Sequence, residues 1–277
     1  MAEYSHTSTH HRLHVADNNG VRTLRFERNQ QSSMRLDDTF ATDIEYVGYL
    51  HLTRAVVPDP ARALVIGLGG GMFVKQLWRD HPALIIDAVE LDSEVVAIAR
   101  EFFALPDDPR INVHVGDGRE WLEASGASYD IIVVDAYDDD RIPVALTTEG
   151  FMHSAVTHLN PGGVIAYNII GAISGSKSKP LRSLYRTAAN VWRTVWLFTV
   201  DAIDPGGPRP ENVVLLASDA SLPDEELCAR IADRVGGRVS VPDFERFGEH
   251  LYRGPIRTGD VPILTDPPAR ASRHTSS

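Results

Sequence analysis

Residues Ala63 to Asp92 read ALVIGLGGGMFVKQLWRDHPALIIDAVELD. An apolar run (Leu64, Val65, Ile66) enters a glycine cluster (Gly67, Gly69, Gly70, Gly71), and a helical pattern follows. A second apolar run, Leu84 to Val89, then closes on Glu90-Leu91-Asp92. Strand, glycine-rich turn, helix, strand and acid, in that order, form the first half of a nucleotide-binding α/β unit. Glycine lets the backbone approach a ligand closely, and an acid ending the second strand can accept both hydrogen bonds of a ribose diol. A ligand carrying adenosine is therefore expected here.

Working outward, apolar runs recur at about 63–67, 84–89, 111–115, 130–135 and 163–169, with helical patterns at about 70–80, 93–103, 118–125, 148–158 and 178–190. Runs at 195–200 and 213–217 bring the count to about seven strands, with a helix at 223–235. Strands alternating with helices predict an α/β fold, a Rossmann-like parallel sheet with helices on both faces. Upstream, the apolar alternation on either side of Asn18-Asn19-Gly20 is a hairpin signal. Helical spacing follows at 43–56, and Pro58-Asp59-Pro60 separates the two parts. The expected organisation is an N-terminal β-hairpin and helix over 1–58, a Rossmann-like domain over 59–255, and a largely disordered tail over 256–277. Residues 1–10 are also expected to be disordered, with His10 and His11 part of a frayed end.

The bulk properties exclude several classes. A net charge of −11 argues against a nucleic-acid partner, which needs a basic face. No apolar run approaches the roughly 20 residues that cross a bilayer, and MAEYSHTSTHHRLH has no apolar leader core, so a cytoplasmic protein is expected. One cysteine, Cys228, excludes an internal disulfide framework. His153 and His158 are five apart and lack a cysteine or glutamate at ligand spacing, so no metal site is expected.

Ligands of open α/β sheets sit beyond the carboxyl ends of the strands. The residues there are Gly67 to Gly71, Glu90 with Asp92, Asp117 with Gly118, and Asp135 with Asp138. Any one of these acids can be a helix N-cap; the set together points to a ligand site. A dinucleotide dehydrogenase fits less well, because Gly67-Leu68-Gly69-Gly70-Gly71-Met72 lacks the last glycine or alanine of G-x-G-x-x-G. An acid after the third strand (Val115-Gly116-Asp117-Gly118) suits an adenine amino group instead, as in S-adenosylmethionine enzymes.

As an ordered set, VIGLGGG, VELD, VGDGREWL, YDIIVVDAYD and LNPGGVIAYNI resemble the spermidine synthase (polyamine aminopropyltransferase) superfamily, especially its spermidine synthase-like branch. The resemblance implies an N-terminal β-hairpin domain, a seven-stranded methyltransferase-type Rossmann domain and a homodimer. It implies that Glu90 holds the ribose hydroxyls and Asp117 the adenine amino group. Asp135 and Asp138 match D-x-x-D, whose first acid helps deprotonate and orient the attacking amine. Gln31 matches a glutamine beside the donor's sulfonium side. Tyr46 and Tyr137 are expected to line the acceptor pocket.

The chain also departs from the family's pattern. The aspartate of the family's G-G-G-D-G-G turn, which binds the ammonium of decarboxylated S-adenosylmethionine, is Gly70 here, and the Y-H-E or Y-Q-E triplet is Tyr46-Val47-Gly48. A carboxylate in the turn would repel the carboxylate of intact S-adenosylmethionine by about 4 kcal/mol at about 4 Å and an effective dielectric of about 20. Glycine removes that repulsion and leaves backbone N–H groups to meet the carboxylate. On this reasoning the first expectation is a methyltransferase using S-adenosylmethionine on a small-molecule acceptor, with Asp135 as base and Asp138 orienting the acceptor. The alternatives are aminopropyl transfer to a polyamine from the decarboxylated donor, and a non-catalytic homologue.

Overall fold

The computed structural model describes residues 3–138, 141–200 and 206–268. The N-terminal part is a four-stranded antiparallel sheet, β1 (Glu3–Thr7), β2 (Arg12–Asn18), β3 (Val21–Phe26) and β4 (Asn29–Arg35), in sequential order. Its expected hairpin is present: Asn18 pairs with Val21, and Asn19 and Gly20 take φ of 49° and 79°. Positive φ at both central residues makes a two-residue type I′ turn, whose twist matches that of the strands it joins. Two strands are additions to the expected hairpin. The first corrects the expectation of a frayed start, because Glu3 to Thr7 pair with Ala16 to Arg12.

The helical stretch at 43–56 is two short helices, α1 (Tyr46–Leu50) and α2 (Thr53–Val56). The main sheet then comprises β5 (Arg62–Ile66), β6 (Ile85–Glu90), β7 (Ile111–Val115), β8 (Tyr129–Val134), β9 (Leu159–Gly171), β10 (Thr194–Thr199) and β11 (Glu211–Ser218). Its helices are α3 (Met72–Asp80), α4 (Ser93–Phe102), α5 (Gly118–Ala124), α6 (Glu149–His158), α7 (Lys179–Val191), α8 (Asp224–Ala232) and α9 (Arg234–Gly237). Spatial order is β10-β11-β9-β8-β5-β6-β7. The alternating strands β5 to β9 are parallel, as expected; the sheet as a whole is mixed, because β11 runs antiparallel to both β9 and β10. Apolar runs as short as Val213 to Ala217 carry no direction, and the connection from β10 to β11, residues 200–210, is shorter than the dozen or so residues a parallel crossover needs.

Period-2 alternation sends successive residues to opposite faces. Val65, Ile131 and Val133 enter one buried cluster with α3, α4 and α8, whereas Leu64, Ile132 and Val134 enter another with α6 and α7. The N-terminal part is fastened to this body by buried and partly buried polar contacts. Lys75, 1% exposed on α3, donates to Thr39 O and Phe103 O (2.6 Å each), and burial pulls its pKa down to about 8. Arg22 on β3 donates to Phe102 O at 2.8 Å, and Ser8 donates to the Asp92 carboxylate.

Residues 256–268, expected to be disordered, pack across α5, α6 and α7. Arg182 donates to Arg257 O (2.7 Å) and Asp260, Leu264 N donates to Thr187 Oγ1 (2.9 Å), and Glu149 N to Leu264 O (2.7 Å). Asp266 accepts from both guanidinium nitrogens of Arg119 (2.5 and 3.0 Å) and from Thr148 Oγ1 (2.7 Å). A Cβ at Gly150 would lie 2.0 Å from Asp266 Oδ2, so that glycine admits the carboxylate. The rest of the predicted tail, 269–277, lies outside the described residues. No helix among the described residues is long and apolar enough to cross a membrane.

Hydrogen bonds from Arg119 and then Thr148 hold the Asp266 carboxyl down to about 2. A depressed folded-state pKa contributes stability above the unfolded value and loses it as pH falls. Asp266→Ala is therefore expected to lower unfolding free energy by about 1 kcal/mol at neutral pH, screening at a 40% exposed side chain included. The difference from wild type should vanish as pH falls from about 4 to about 2 in chemical denaturation.

Candidate active site

Four chain segments converge at the carboxyl ends of β5, β6 and β8. Gly67 N donates to Val89 O and Asp135 N to Ile66 O, both at 2.8 Å, which ties the three strand ends together. Gly67 has φ +95°, and a Cβ there would stand 2.3 Å from Asp135 O. Only glycine fits that approach. The next turns are equally tight: Gly118 lies so close to Ile66 that a Cβ would come within 2.2 Å of its Cγ2.

A cavity of about 320 Å³ opens over these strand ends. Of the residues selected from sequence, Gly67, Gly69, Glu90, Asp117, Gly118, Gln31, Tyr46, Asp135, Tyr137 and Asp138 line it. Gly70 and Gly71 do not. Gly70 N donates to Ser32 Oγ at 2.7 Å, and a Cβ on Gly70 would meet Phe103 Cδ1 at 2.7 Å. Gly71 N donates to Leu68 O (2.8 Å), and Leu68 N to Glu90 Oε2 (2.9 Å). Three of the turn's N–H groups, those of Leu68, Gly70 and Gly71, are thus spent inside the protein. This corrects the premise that glycine at 70 frees them for a carboxylate: the residue is small because β4 and Phe103 pack on it.

Each acid has a distinct setting. Glu90 is buried (9% exposed); its oxygens accept from Leu68 N and Asp92 N (3.1 Å), and burial raises its pKa against the pull of these N–H groups. Asp92 is a buried N-cap that accepts from Glu94 N at 3.0 Å. Asp117 caps α5 through one oxygen, Oδ1, which accepts from Arg119 N (2.8 Å) and Glu120 N (3.0 Å). Asp138 is exposed and exchanges backbone hydrogen bonds with Arg141. Asp139 and Asp140, the rest of the acidic run, lie outside the described residues.

Asp135 sits at the centre. Its Oδ1 accepts from Asn168 Nδ2 at 2.9 Å and its Oδ2 from Tyr46 Oη at 3.3 Å. Burial pushes its pKa up to about 7, with the bonds from Asn168 and Tyr46 opposing. Burial, then the charge of Asp135, raises Tyr46 and Tyr137 above the usual phenol range. A half-buried carboxylate poised near neutrality in a cavity is suited to take a proton.

Sequence reasoning passed over several neighbours. Asn168, 1% exposed, interrupts the apolar run of β9, and that interruption was the signal available. Asn212 donates to Asn168 Oδ1 at 3.0 Å, and Tyr137 Oη donates to Asn168 O at 2.8 Å. His10 and His11 also line the cavity, and His11 stacks on Phe26 with ring centres 4.3 Å apart. Pairing of β1 and the Ser8 contact hold that segment in place, correcting its assignment to a frayed end.

Residues 46–169 match the model of the spermine/spermidine synthase domain. A polyamine aminopropyltransferase of Chromobacterium violaceum is 31% identical over 87% of this chain and 88% of its own length. The chain belongs to the spermine/spermidine synthase family. A probable polyamine aminopropyl transferase of Bifidobacterium longum is 35% identical over 60% of the chain, which spans 39% of that longer protein. In fold, a crystal structure of a probable spermidine synthase from Corynebacterium glutamicum superposes with a TM-score of 0.72 at 20% identity, covering 83% of this chain and 87% of that one. These relatives of the spermidine synthase family overturn the first expectation of a small-molecule methyltransferase. The substitution at Gly70 that suggested it is explained by packing.

Two outcomes check this geometry. Gly70→Ala is expected to cost about 1–3 kcal/mol of stability, the cost of overpacking against Phe103, in urea unfolding. Asp135 has a folded-state pKa above its unfolded value, so its carboxylate destabilises the fold progressively as pH rises from about 4 to 7. Asp135→Asn should therefore raise the thermal midpoint at pH 8 and leave it nearly unchanged at pH 4, by scanning calorimetry.

Proposed function

We propose that the protein transfers an aminopropyl group from decarboxylated S-adenosylmethionine to a primary amine of a diamine or polyamine. One observation carries this reading. Among the described residues, the cavity is lined by four carboxylates (Glu90, Asp117, Asp135, Asp138) and by no lysine or arginine. Such a lining favours ligands that are cationic throughout. A donor bearing its own carboxylate would meet like charge with no guanidinium or ammonium to offset it, at a cost on the order of 4 kcal/mol for a contact near 4 Å. A donor with sulfonium and ammonium only, and an amine acceptor, incur no such cost. The names of the relatives point the same way.

The residues present fit such a donor. A cavity of about 320 Å³ is of the size of pockets that hold small ligands. Glu90 would accept from the ribose hydroxyls. Asp117 Oδ2, which accepts no bond among the described residues while Oδ1 caps α5, would accept from the adenine amino group. Gly67 and Gly69 give the ligand access to backbone, and Gln31 flanks it from β4. When bound, the donor supplies an alkyl carbon on a sulfonium; the amine nitrogen bonds to that carbon as the carbon–sulfur bond breaks and its electron pair returns to sulfur.

The chain's own contribution is to orient the amine and remove its proton. Asp135 accepts the proton that the attacking nitrogen loses, and its near-neutral pKa keeps it partly ionised at pH 7. Tyr46, donating to Asp135, places a phenol at the acceptor's side, and Tyr137 closes the wall next to it. Asp138, exposed at the rim, would hold an ammonium of the acceptor. Of Tyr46-Val47-Gly48, which replaces the family's triplet, Tyr46 lines the cavity and Gly48 does not; a Cβ at Gly48 would press Val241 at 2.9 Å.

Incubation with the decarboxylated donor and putrescine or a longer diamine should yield the aminopropylated amine and methylthioadenosine, by mass spectrometry. Calorimetry should show at least about tenfold tighter binding of the decarboxylated donor than of S-adenosylmethionine, a difference of about 1.4 kcal/mol. Asp135→Asn should lower kcat by about 10²-fold or more while donor affinity stays within a few-fold. Absence of any aminopropylated product, or a preference for the carboxylated donor, would overturn the proposal.

A further inference from the structure

We infer that Asn212 is a positioning residue: its side-chain amide locks Asn168 in the one orientation that presents an N–H to Asp135. The inference deepens the proposed role of Asp135 as proton acceptor and rests on it for its catalytic consequence.

The placement follows from strand register. Asn168 on β9 lies opposite Val214 on the antiparallel β11, and Ile170 lies opposite Asn212. Residues two apart on a strand share a face, so Asn168 and Asn212 are diagonal cross-strand neighbours on the same side of the sheet. Their side chains meet: Asn212 Nδ2 donates to Asn168 Oδ1 at 3.0 Å, and Asn168 Nδ2 donates to Asp135 Oδ1 at 2.9 Å. The three residues form a directed chain across β11, β9 and the end of β8.

Direction is what matters chemically. A primary amide has an accepting end and a donating end, which differ by half a turn about its last torsion. With Asn212 donating to Oδ1, only the NH₂ of Asn168 remains for Asp135. Turned over, Asn168 would set its Oδ1 against the carboxylate and its Nδ2 against Asn212 Nδ2, exchanging two hydrogen bonds for two repulsions. Asn168 is 1% exposed, so water offers little compensation for either loss. Its main chain is held as well, since Tyr137 Oη donates to its carbonyl.

The consequence is an asymmetric carboxylate. Oδ1 is engaged by the short bond from Asn168, and Oδ2 carries the longer 3.3 Å contact from Tyr46. Oδ2 is then the oxygen with a lone pair to take the acceptor's proton. A hydrogen bond to the ionised form also favours that form, so the donor from Asn168 opposes the burial that disfavours charge. Among the described residues, the ionisable groups that face Asp135 are the phenols of Tyr46, from α1, and of Tyr137. Burial keeps both neutral. Glu90 from β6, Asp117, Asp138, His10 and His11 line the same cavity, and the β5 turn contributes backbone at Gly67.

Two substitutions in the full-length protein separate orientation from mere packing. Asn212→Ala removes the lock. Asn212→Asp is nearly isosteric but can only accept when ionised, so it draws Asn168 Nδ2 toward itself and turns Oδ1 to Asp135. The primary readout is a ¹³C NMR titration of the Asp135 carboxyl, assigned with Asp135→Asn, which needs no activity. Its midpoint should rise by about one pH unit in Asn212→Ala and by more in Asn212→Asp. The acid limb of kcat/KM for aminopropyl transfer should move up by the same amount in each, with about tenfold loss at pH 6.5 that shrinks above pH 9, and donor affinity unchanged. Wild-type midpoints in both variants would overturn the inference, even if transfer is observed. Shifted midpoints in the two variants, together with a wild-type protein that makes no aminopropylated amine, would overturn the proposed reaction and leave the role of Asn212 standing.

Discussion

The site depends on a steric constraint at Gly67. There the backbone leaving β5 passes so close to the backbone leaving β8 that no side chain fits, and a Cβ would stand 2.3 Å from Asp135 O. Hydrogen bonds on both sides of that contact, Gly67 N to Val89 O and Asp135 N to Ile66 O, fix three strand ends in one register. Glu90, the last residue of β6, and Asp135, directly after β8, are carried to the same cavity by this packing. A side chain at position 67 would force those strand ends apart, and with them the acids.

Around that constraint the structure builds an electrostatic environment of one sign. Four carboxylates line the cavity with no fixed cation among the described residues, and three of them are restrained by donors from the protein. Glu90 accepts from the glycine turn, Asp117 from the first turn of α5, and Asp135 from Asn168 and Tyr46. These bonds keep acids in place without neutralising them. The same economy occupies three N–H groups of the turn: Leu68, Gly70 and Gly71 donate to Glu90, Ser32 and Leu68 O. The acid-rich walls and the mostly occupied turn are what the proposed preference for a cationic donor and acceptor rests on.

Much of this was legible in the chain. Val65-Ile66-Gly67, Val89-Glu90 and Val134-Asp135 each read as a strand running into a glycine or an acid, because a strand buried on both faces must be continuously apolar and its end must turn. Local chemistry also gave the hairpin at Asn19-Gly20, since only a few residue pairs accept positive φ twice. Segments whose pattern is weak were misread. Strand β1 (EYSHT) and the 256–268 segment carry few apolar residues and are ordered by hydrogen bonds to distant partners: β2 for the first, Arg119, Arg182 and Thr187 for the second. No local periodicity reports such contacts.

The sequence by itself determined the α/β class, the seven strands of the main sheet and the acids at their carboxyl ends, because burial period and turn chemistry are local properties. Tertiary structure alone decided the direction of β11, the amide chain from Asn212 through Asn168 to Asp135, and the meaning of Gly70. Each of these depends on which residues far apart in the chain come to lie within a few ångströms. Glycine at position 70 looked like an opening for a ligand when read along the chain; in space it is the place where Ser32 and Phe103 close on the turn.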